Sequence, residues 1–235
     1  MKISIIIPIL NESEIISKLI SNLLMISDSI ENLEEIIVVD GGSIDGSQQI
    51  VTTIAKKYSV AIQLIPSKKG RAKQLNAGAA MAKGTILYFL HADSLPPKKY
   101  DRYIIEKVNN GNLAGCFRMK FDSNHWWLRF LGWMTKFNNK ICRGGDQSQF
   151  ITTTLFKQIN GYDESYIVYE DNEFVDRLYA IQQFIVIPKH VVTSARRYKE
   201  IGVWRLQYYF LNIHIRRWLG ASSEDLHQYY KKKII

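Results

Sequence analysis

The sequence predicts an α/β protein with a mostly parallel central sheet flanked by helices, a Rossmann-like arrangement. Short apolar and β-branched runs alternate with segments in which apolar residues recur at helical spacing. These runs are apolar throughout rather than alternating, which indicates strands buried on both faces. Two of them end abruptly at an acidic residue or an acidic loop. Such an order implies right-handed crossovers between parallel strands.

The first half of the chain contains four predicted strands with a helix after each of the first three. Glycine or serine clusters separate these segments, and Gly84 closes the third helix. The strands are predicted at 2–9, 35–40, 60–65 and from Thr85 onward, and the helices at 12–26, 47–58 and 71–83.

The second half is less regular. The aromatic segment from His125 to Phe137 is less regular than the first half, and 144–147 is predicted to be a loop. We expect a catalytic-sized domain over 1–198 and a basic helical extension over 199–235. Helices are predicted at about 98–109, 154–159, 169–182 and 202–219, and strands at 113–121, 150–153, 184–188 and 191–193.

The composition limits the functional classes. The two cysteines, Cys116 and Cys142, form no CxxC motif, which argues against structural zinc and for a reducing compartment. No signal peptide and no apolar run of about 18 residues is present, so we expect a cytoplasmic protein. A formal net charge of +9 favours an acidic partner: nucleotide phosphates, an anionic membrane or nucleic acid.

Two carboxylates are expected to meet at one edge of the sheet. Asp40 ends the second predicted strand, and Asp93 follows the fourth within the segment TILYFLHADSLPP. Ligands of open α/β sheets collect at the carboxyl ends of the strands. Asp93 could hold a metal ion, and His91 points to the same side of an extended chain. A simple turn before Pro96 is the alternative.

Two further segments carry charge suited to a site. Arg71 opens a helix, where backbone N–H groups favour phosphate, although a solvated basic loop would look the same. Glu170, Asp171 and Glu173 lie in the first turn of another helix, where acids also serve as ordinary capping residues.

Read in order, these segments resemble the family 2 glycosyltransferases of the GT-A fold over about 2–197. The motifs HADS, GGDQ and TSARR are most similar to a bacterial subgroup labelled arsenosugar-biosynthesis glycosyltransferases. Six segments carry the family resemblance: SIIIPILNE at 4–12, VVDGGSIDGS at 38–47, GRAKQLNAGA at 70–79, FLHADS at 89–94, FKQINGYDE at 156–164 and YEDNE at 169–173.

The resemblance implies roles for individual residues. Asp171 is the expected base, with Glu170 beside it, and Asp93 is the expected ligand of a divalent metal, Mn²⁺ or Mg²⁺. His91 replaces the first acid of the family's acid-x-acid motif, so His190 or His214 could complete the metal site. The expected acceptor-binding residues are Asp146, Glu173, Arg196 and Arg197. The expected donor-binding residues are Pro8, Asn11, Glu12, Asp40, Gly42, Ser43, Arg71, Gln74, His91 and Ala92.

The expected function is inverting, metal-dependent transfer of one sugar from a nucleotide sugar, most simply UDP-linked, to an unknown acceptor hydroxyl. A sugar-nucleotide pyrophosphorylase is one alternative, but the glycine-rich basic loop of that class is absent from 4–14. A nucleic-acid-binding module is another, but it leaves the paired acids unexplained, so no nucleic acid is expected.

The segment 202–219 carries apolar residues at helical spacing beside arginines. We hypothesise that it lies peripherally on an anionic membrane, at the inner face, with packing against the catalytic domain as the alternative.

Overall fold

The structure is a computed structural model and describes residues 1–144 and 147–233. The first half follows the predicted alternation closely. Its elements are β1 (Ile3–Ile9), α1 (Ile16–Ile26), β2 (Leu33–Asp40), α2 (Ser47–Ala55), β3 (Ala61–Pro66), α3 (Arg71–Met81) and β4 (Ile86–Phe89).

The second half adds elements that the periodicity did not predict. The two strands predicted at 184–188 and 191–193 are one continuous strand, whose pairing with β6 shifts register between Phe117 and Arg118. The elements are β5 (Ser94–Leu95), α4 (Tyr100–Asn109), β6 (Ala114–Phe121), α5 (Trp126–Met134), β7 (Gln149–Thr152), α6 (Thr153–Gln158), α7 (Glu170–Ala180), β8 (Ile185–Thr193), α8 (Arg196–Ile201), α9 (Val203–Trp218) and α10 (Ser223–Lys233).

Within the described residues the strands form one sheet in the order β3-β2-β1-β4-β7-β6-β8-β5. The half that contains β3, β2, β1 and β4 is parallel throughout. β7 runs antiparallel to both of its neighbours, and β5 is antiparallel to β8, while β6 and β8 are parallel. The mostly parallel sheet predicted from the sequence is therefore confirmed, and the carboxyl ends of β1, β2 and β4 share one edge.

The core lies on both faces of this sheet. Successive side chains of a strand point to opposite faces, so Ile5 and Ile7 of β1 join the apolar cluster that includes α1, while Ile6 joins the cluster that includes α3. All three side chains are fully buried. This is why β1 is apolar without interruption.

A third apolar cluster connects the C-terminal helices to the rest of the chain. Leu206 of α9 is buried together with Phe121 of β6 and Leu128 of α5. The division at 198/199 stays a prediction, but α9 shares this cluster with residues before it. Among residues 1–144 and 147–233, no helix combines the length and apolarity required to cross a bilayer.

Gly78 allows α3 to pack directly on the sheet. A Cβ at this position would lie 2.5 Å from Ile6 Cγ2 and 3.0 Å from Val39 Cγ2, both in buried central strands. Gly78→Ala should therefore lower the free energy of unfolding. Overpacking of this kind costs about 1–3 kcal/mol of stability. This cost matches or exceeds the roughly 1 kcal/mol by which alanine stabilises a helix relative to glycine.

Urea unfolding measures this change. Gly144→Ala is the control, because no atom lies within 4 Å of its Cβ and its backbone is not left-handed; it should change stability by less than about 0.5 kcal/mol. Equal stability of the Gly78→Ala variant and the parent would contradict the proposed contact.

Candidate active site

The loops that follow β1 and β2 are bound to each other at the shared edge of the sheet. Asn11 N–H donates to Ser43 Oγ at 2.9 Å, and its side-chain oxygen accepts the Ile44 N–H, also at 2.9 Å. Glu12 N–H donates to Ser47 Oγ at 3.0 Å. Asn11 has φ 58°, a left-handed conformation that asparagine tolerates better than most residues. The predicted donor-binding residues of these two loops therefore form one surface.

Asp40 is the buried centre of this surface. Its carboxylate accepts hydrogen bonds from the Ser43 N–H at 3.0 Å, from the Ser43 hydroxyl and from Gln48 Nε2 at 2.6 Å. Burial by itself would raise the pKa of Asp40, but the bonds from Ser43 and Gln48 together lower it below its ordinary value. Asp40 is thus held as an ionised acceptor at the end of β2. Gly42 completes its loop with φ 100°, which a glycine adopts without strain.

Gln74 of α3 joins the ends of β1 and β2 through hydrogen bonds. Its side chain is buried, and Nε2 donates to Ile9 O and to Val39 O, each at 2.8 Å. Gly41 lets this amide approach, since a Cβ there would lie 3.1 Å from it. Gln74 was predicted to bind the donor. The structure gives it a supporting position, and direct donor contact stays a prediction.

The loop after β4 brings His91, Ala92 and Asp93 to the same edge. Asp93 is exposed, whereas Ala92 is buried. Burial raises the pKa of Glu12, Arg196 lowers it, and the negative charge of Asp93 raises it further. Asp93 and Glu12 are therefore close enough to interact electrostatically, as the parallel order of β1 and β4 predicts. Pro8, near the end of β1, is only half-buried because β4 pairs with β1 no further than Ile6.

The amino ends of α3 and α7 meet in an ion cluster beside this edge. Arg71 Nη1 lies 2.9 Å from Glu170 Oε1 and 3.5 Å from Asp171 Oδ2. His91 Nε2 lies 3.8 Å from Asp171 Oδ2. Both acidic side chains are less than a tenth exposed, whereas Arg71 is 38% exposed. The cluster joins residues predicted for donor binding to the residues predicted for catalysis.

An unusual backbone conformation starts α7 at this place. Tyr169, just before Glu170, has φ 78°, which is rare for a bulky residue and is found where the surrounding structure enforces it. Behind the helix, the Tyr162 ring stacks on Phe174 at 4.2 Å between centroids. Asn76 of α3 binds both the N–H and the carbonyl of Tyr162, each at 2.9 Å.

Asn76 and Tyr162 therefore support the acids, and sequence reasoning did not single them out. Their only signal was their place in the two motifs GRAKQLNAGA and FKQINGYDE.

The family of the chain follows from a match to the model described as glycosyl transferase family 2, which covers residues 4–157. The chain belongs to this family. The predicted enzyme class, a glycosyltransferase, is thereby confirmed. The match spans the loops after β1, β2 and β4 and the amino end of α3, and it ends before Glu170 and Asp171.

Curated relatives carry glycosyltransferase names. The probable glycosyltransferase YdaM of Bacillus subtilis is 25% identical over 223 residues, which cover 86% of this chain and 52% of YdaM. An undecaprenyl-phosphate 4-deoxy-4-formamido-L-arabinose transferase of Edwardsiella ictaluri is 25% identical over 205 residues, covering 86% of this chain and 59% of that protein. This chain thus spans little more than half of the length of either relative.

Solved structures confirm the fold. The mannosyltransferase PcManGT of Pyrobaculum calidifontis, in complex with GDP-Man and Mn²⁺, superposes with a TM-score of 0.73 at 18% identity over 97% of this chain and 69% of that one. S. aureus TarS in complex with UDP gives 0.69 at 20% identity over 83% and 60%. The predicted GT-A fold is therefore correct, while the low identities carry no information about substrate.

The predicted acceptor-binding residues have separate partners and do not meet in one cluster among the described residues. Glu173 binds Arg177 through both carboxylate oxygens, at 2.8 Å each. Arg197 donates to Tyr230 Oη at 2.6 Å, whereas Arg196 faces Glu12 at 4.0 Å. Asp146 lies outside the described residues. The acceptor role of these four residues stays a prediction.

The residues at this edge of the sheet suit a divalent ion that takes few of its ligands from the protein. Among residues 1–144 and 147–233, no three His, Cys, Asp or Glu side chains converge as a metal cage. His190 stands opposite Arg118 in the sheet, and His214 packs on Tyr169, so neither completes such a cage. An exposed carboxylate alone suits an ion that keeps waters and takes its other oxygens from a diphosphate, as Mg²⁺ does. Asp93 meets that condition.

The lowered pKa of Asp40 predicts how stability responds to pH. Because the folded-state pKa lies below the ordinary value of 3.8, the carboxylate contributes stability above that pH and loses its contribution as the pH falls. Asp40→Asn should therefore lower the free energy of unfolding near neutral pH, and the difference should shrink at about pH 3 and below.

Urea unfolding across this pH range tests the sign. Glu106→Gln, at an exposed position of α4, is the control and should show no such convergence. A deficit in Asp40→Asn that stayed constant with pH would mean that the lost hydrogen bonds, and not the charge, explain the effect.

Proposed function

We propose that this glycosyltransferase moves one sugar from a nucleotide-sugar donor to an acceptor hydroxyl with inversion at the anomeric carbon. The supporting observation is the ion cluster of Arg71, Glu170 and Asp171, which lies beside the edge that carries Asp40 and Asp93. One cluster thus contains a cation that can bind a diphosphate and a carboxylate that can accept a proton. Family membership favours transfer over the pyrophosphorylase and nucleic-acid-binding alternatives.

The donor site is proposed on the loops after β1 and β2. Asp40 is ionised and already anchored, so its oxygens can accept further hydrogen bonds from a ribose or a base. The exposed Lys68 and Lys69 follow β3, directly beside β2, and would face the phosphates with Arg71. We propose UDP as the nucleotide; TarS was solved with UDP and PcManGT with GDP-Man, so GDP is the competing choice.

Asp171 is proposed as the general base. The acceptor oxygen attacks the anomeric carbon from the face opposite the diphosphate, a new carbon–oxygen bond forms, and the bond to the diphosphate oxygen breaks. The acceptor proton passes to the Asp171 carboxylate during attack. Arg71 holds that carboxylate in place and presents positive charge towards the departing diphosphate.

A divalent metal, Mn²⁺ or Mg²⁺, is proposed at Asp93. When bound, the ion would neutralise negative charge that develops on the leaving diphosphate. Asp93 is exposed and available for this role, and Glu12 lies within electrostatic range. The Mn²⁺ in PcManGT supports a divalent ion in this fold.

The acceptor class is proposed from the relatives. Besides the transferase named for undecaprenyl phosphate, a dolichol-phosphate mannosyltransferase of Pyrococcus furiosus is 31% identical over 113 residues, 48% of this chain and 31% of that protein. We propose that lipid-carried acceptors at an anionic membrane be screened first. The likeness of HADS, GGDQ and TSARR to the arsenosugar subgroup stays a hypothesis for the same screen.

Asp93→Ala should abolish the metal dependence of UDP binding, because the ion loses its proposed carboxylate ligand. Calorimetry with UDP, with and without Mn²⁺, measures the change. Glu106→Ala removes an equal charge from the exposed face of α4 and should bind like the parent. UDP affinity that still rises with Mn²⁺ in Asp93→Ala would place the metal elsewhere.

Asp171→Asn should lower kcat for sugar transfer by about 10²- to 10⁴-fold, the usual contribution of a general base. UDP affinity should change little, because Glu170 still binds Arg71 at 2.9 Å. Steady-state kinetics on the acceptor found by screening, with UDP calorimetry beside it, separates the two effects.

Two variants of the same helix sharpen this test. Glu170→Gln removes the negative charge that lies 2.9 Å from Arg71 and should affect KM for the donor more than kcat. Asp176→Asn, further along α7, makes the same chemical change away from the ion cluster and should be neutral. Parent-like kcat in Asp171→Asn would leave that residue only a structural role.

A further inference from the structure

Helix α9 exposes an apolar stripe instead of burying it. The opposite face of the helix is buried through Leu206, Tyr209 and Ile213. The helix thus packs on the catalytic domain, the alternative considered from the sequence, but through this opposite face and not through the stripe. Trp204 is 56% and Trp218 is 86% exposed. The stripe consists of Trp204, Tyr208, Leu211, Ile215 and Trp218.

Helix α5 and the turn after it carry a second stripe of the same kind. Its residues recur at helical spacing, and they are exposed although all are large aromatics. They are Trp126, Phe130, Trp133 and Phe137.

The two stripes form one continuous surface. The Trp204 ring lies 5.7 Å from the Trp126 ring and 5.3 Å from the Trp127 ring, measured between centroids. From there, ring contacts continue along α5 through Phe130 and Trp133 to Phe137. We call the two stripes together the aromatic surface. Exposed apolar patches of this extent mark sites of interaction.

The charge around the aromatic surface indicates its partner. Segments 125–142 and 203–219 contain six Lys or Arg residues and no Asp or Glu. One of these cations, Lys136, has Nζ 3.9 Å from the centroid of Trp133. Trp and Tyr beside Lys and Arg are typical of the lipid–water interface, where an aromatic ring meets acyl chains and a cation meets anionic headgroups.

We infer that the aromatic surface docks this protein on an anionic lipid bilayer, with α5 and α9 lying side by side in the interface. The inferred docking does not depend on the nucleotide, the metal or the base. It does bring lipid close to the candidate base, because His214 of α9 contacts Tyr169 at 5.2 Å between ring centroids, and Tyr169 directly precedes Glu170.

Intrinsic fluorescence tests the inference on the unaltered protein. All five tryptophans of the chain lie in α5 or α9, namely Trp126, Trp127, Trp133, Trp204 and Trp218. Phosphatidylglycerol-containing vesicles with brominated acyl chains should quench this emission, and vesicles of phosphatidylcholine alone should quench it much less. Equal emission with and without anionic brominated vesicles would overturn the inference.

Charge reversal tests the role of the cations. Arg129→Glu with Lys140→Glu changes two exposed positions of the α5 region, and Lys56→Glu with Lys57→Glu changes the net charge equally at the end of α2. Each surface cation is worth about fivefold in binding to an anionic bilayer, so the first pair should weaken co-sedimentation by about 25-fold or more. The control pair should change it by less than about threefold. Equal losses for both pairs would indicate only a long-range attraction and would overturn the docking geometry.

A second copy of the chain is the competing occupant. Trp133→Ala with Trp218→Ala removes two exposed side chains, while Met25→Ala with Met81→Ala removes two exposed apolar side chains elsewhere. The tryptophan pair should reduce vesicle binding and leave the sedimentation velocity of the free protein unchanged. The competing result has three parts: the parent sediments as a dimer, the tryptophan variant sediments as a monomer, and neither binds vesicles. This result would assign the surface to self-association.

Discussion

The parallel pairing of β1 with β2 on one side and β4 on the other determines where the site lies. Parallel strands must begin at one edge of a sheet and end at the other, so the loops that follow these three strands converge. The buried Ile5, Ile6 and Ile7 of β1 hold this arrangement from both faces. Gln74 then binds the carbonyls of Ile9 and Val39 near the ends of β1 and β2, which keeps the loops of Asn11 and Asp40 in fixed contact.

Charge balance is the second constraint on the site. Glu170 and Asp171 are almost fully buried at the start of α7, and buried carboxylates are tolerated only with partners. Arg71 supplies that partner, and the positive ends of α3 and α7 add to it. A nucleotide diphosphate would compete with the two acids for the same guanidinium. In the proposed mechanism, donor binding would therefore be coupled to the position of the base.

The C-terminal helices serve two purposes through opposite faces. The inner face of α9 completes an apolar cluster with Phe121 and Leu128, so the helix is part of the folded unit. The outer face continues the exposed rings of α5. A lipid-carried acceptor would reach the enzyme from this side, beside Tyr169 and the first turn of α7.

The parallel half of the fold and the residues at its edge could be predicted from the sequence alone. The apolar runs of the strands and the helical spacing of α3 can be recognised within each segment. The bounds of β1, β2, β4 and α3 were therefore predictable to within a few residues. Asp40 and Asp93 were predicted to share an edge because strand direction alone requires it. Only the tertiary structure decided that Arg71 binds Asp171, 100 positions away, since such a contact depends on strand order and on antiparallel β7 beside β4. It also decided which helix faces remain exposed. Periodicity shows that α9 has an apolar stripe, but whether a neighbouring element covers that stripe depends on the packing of the whole chain.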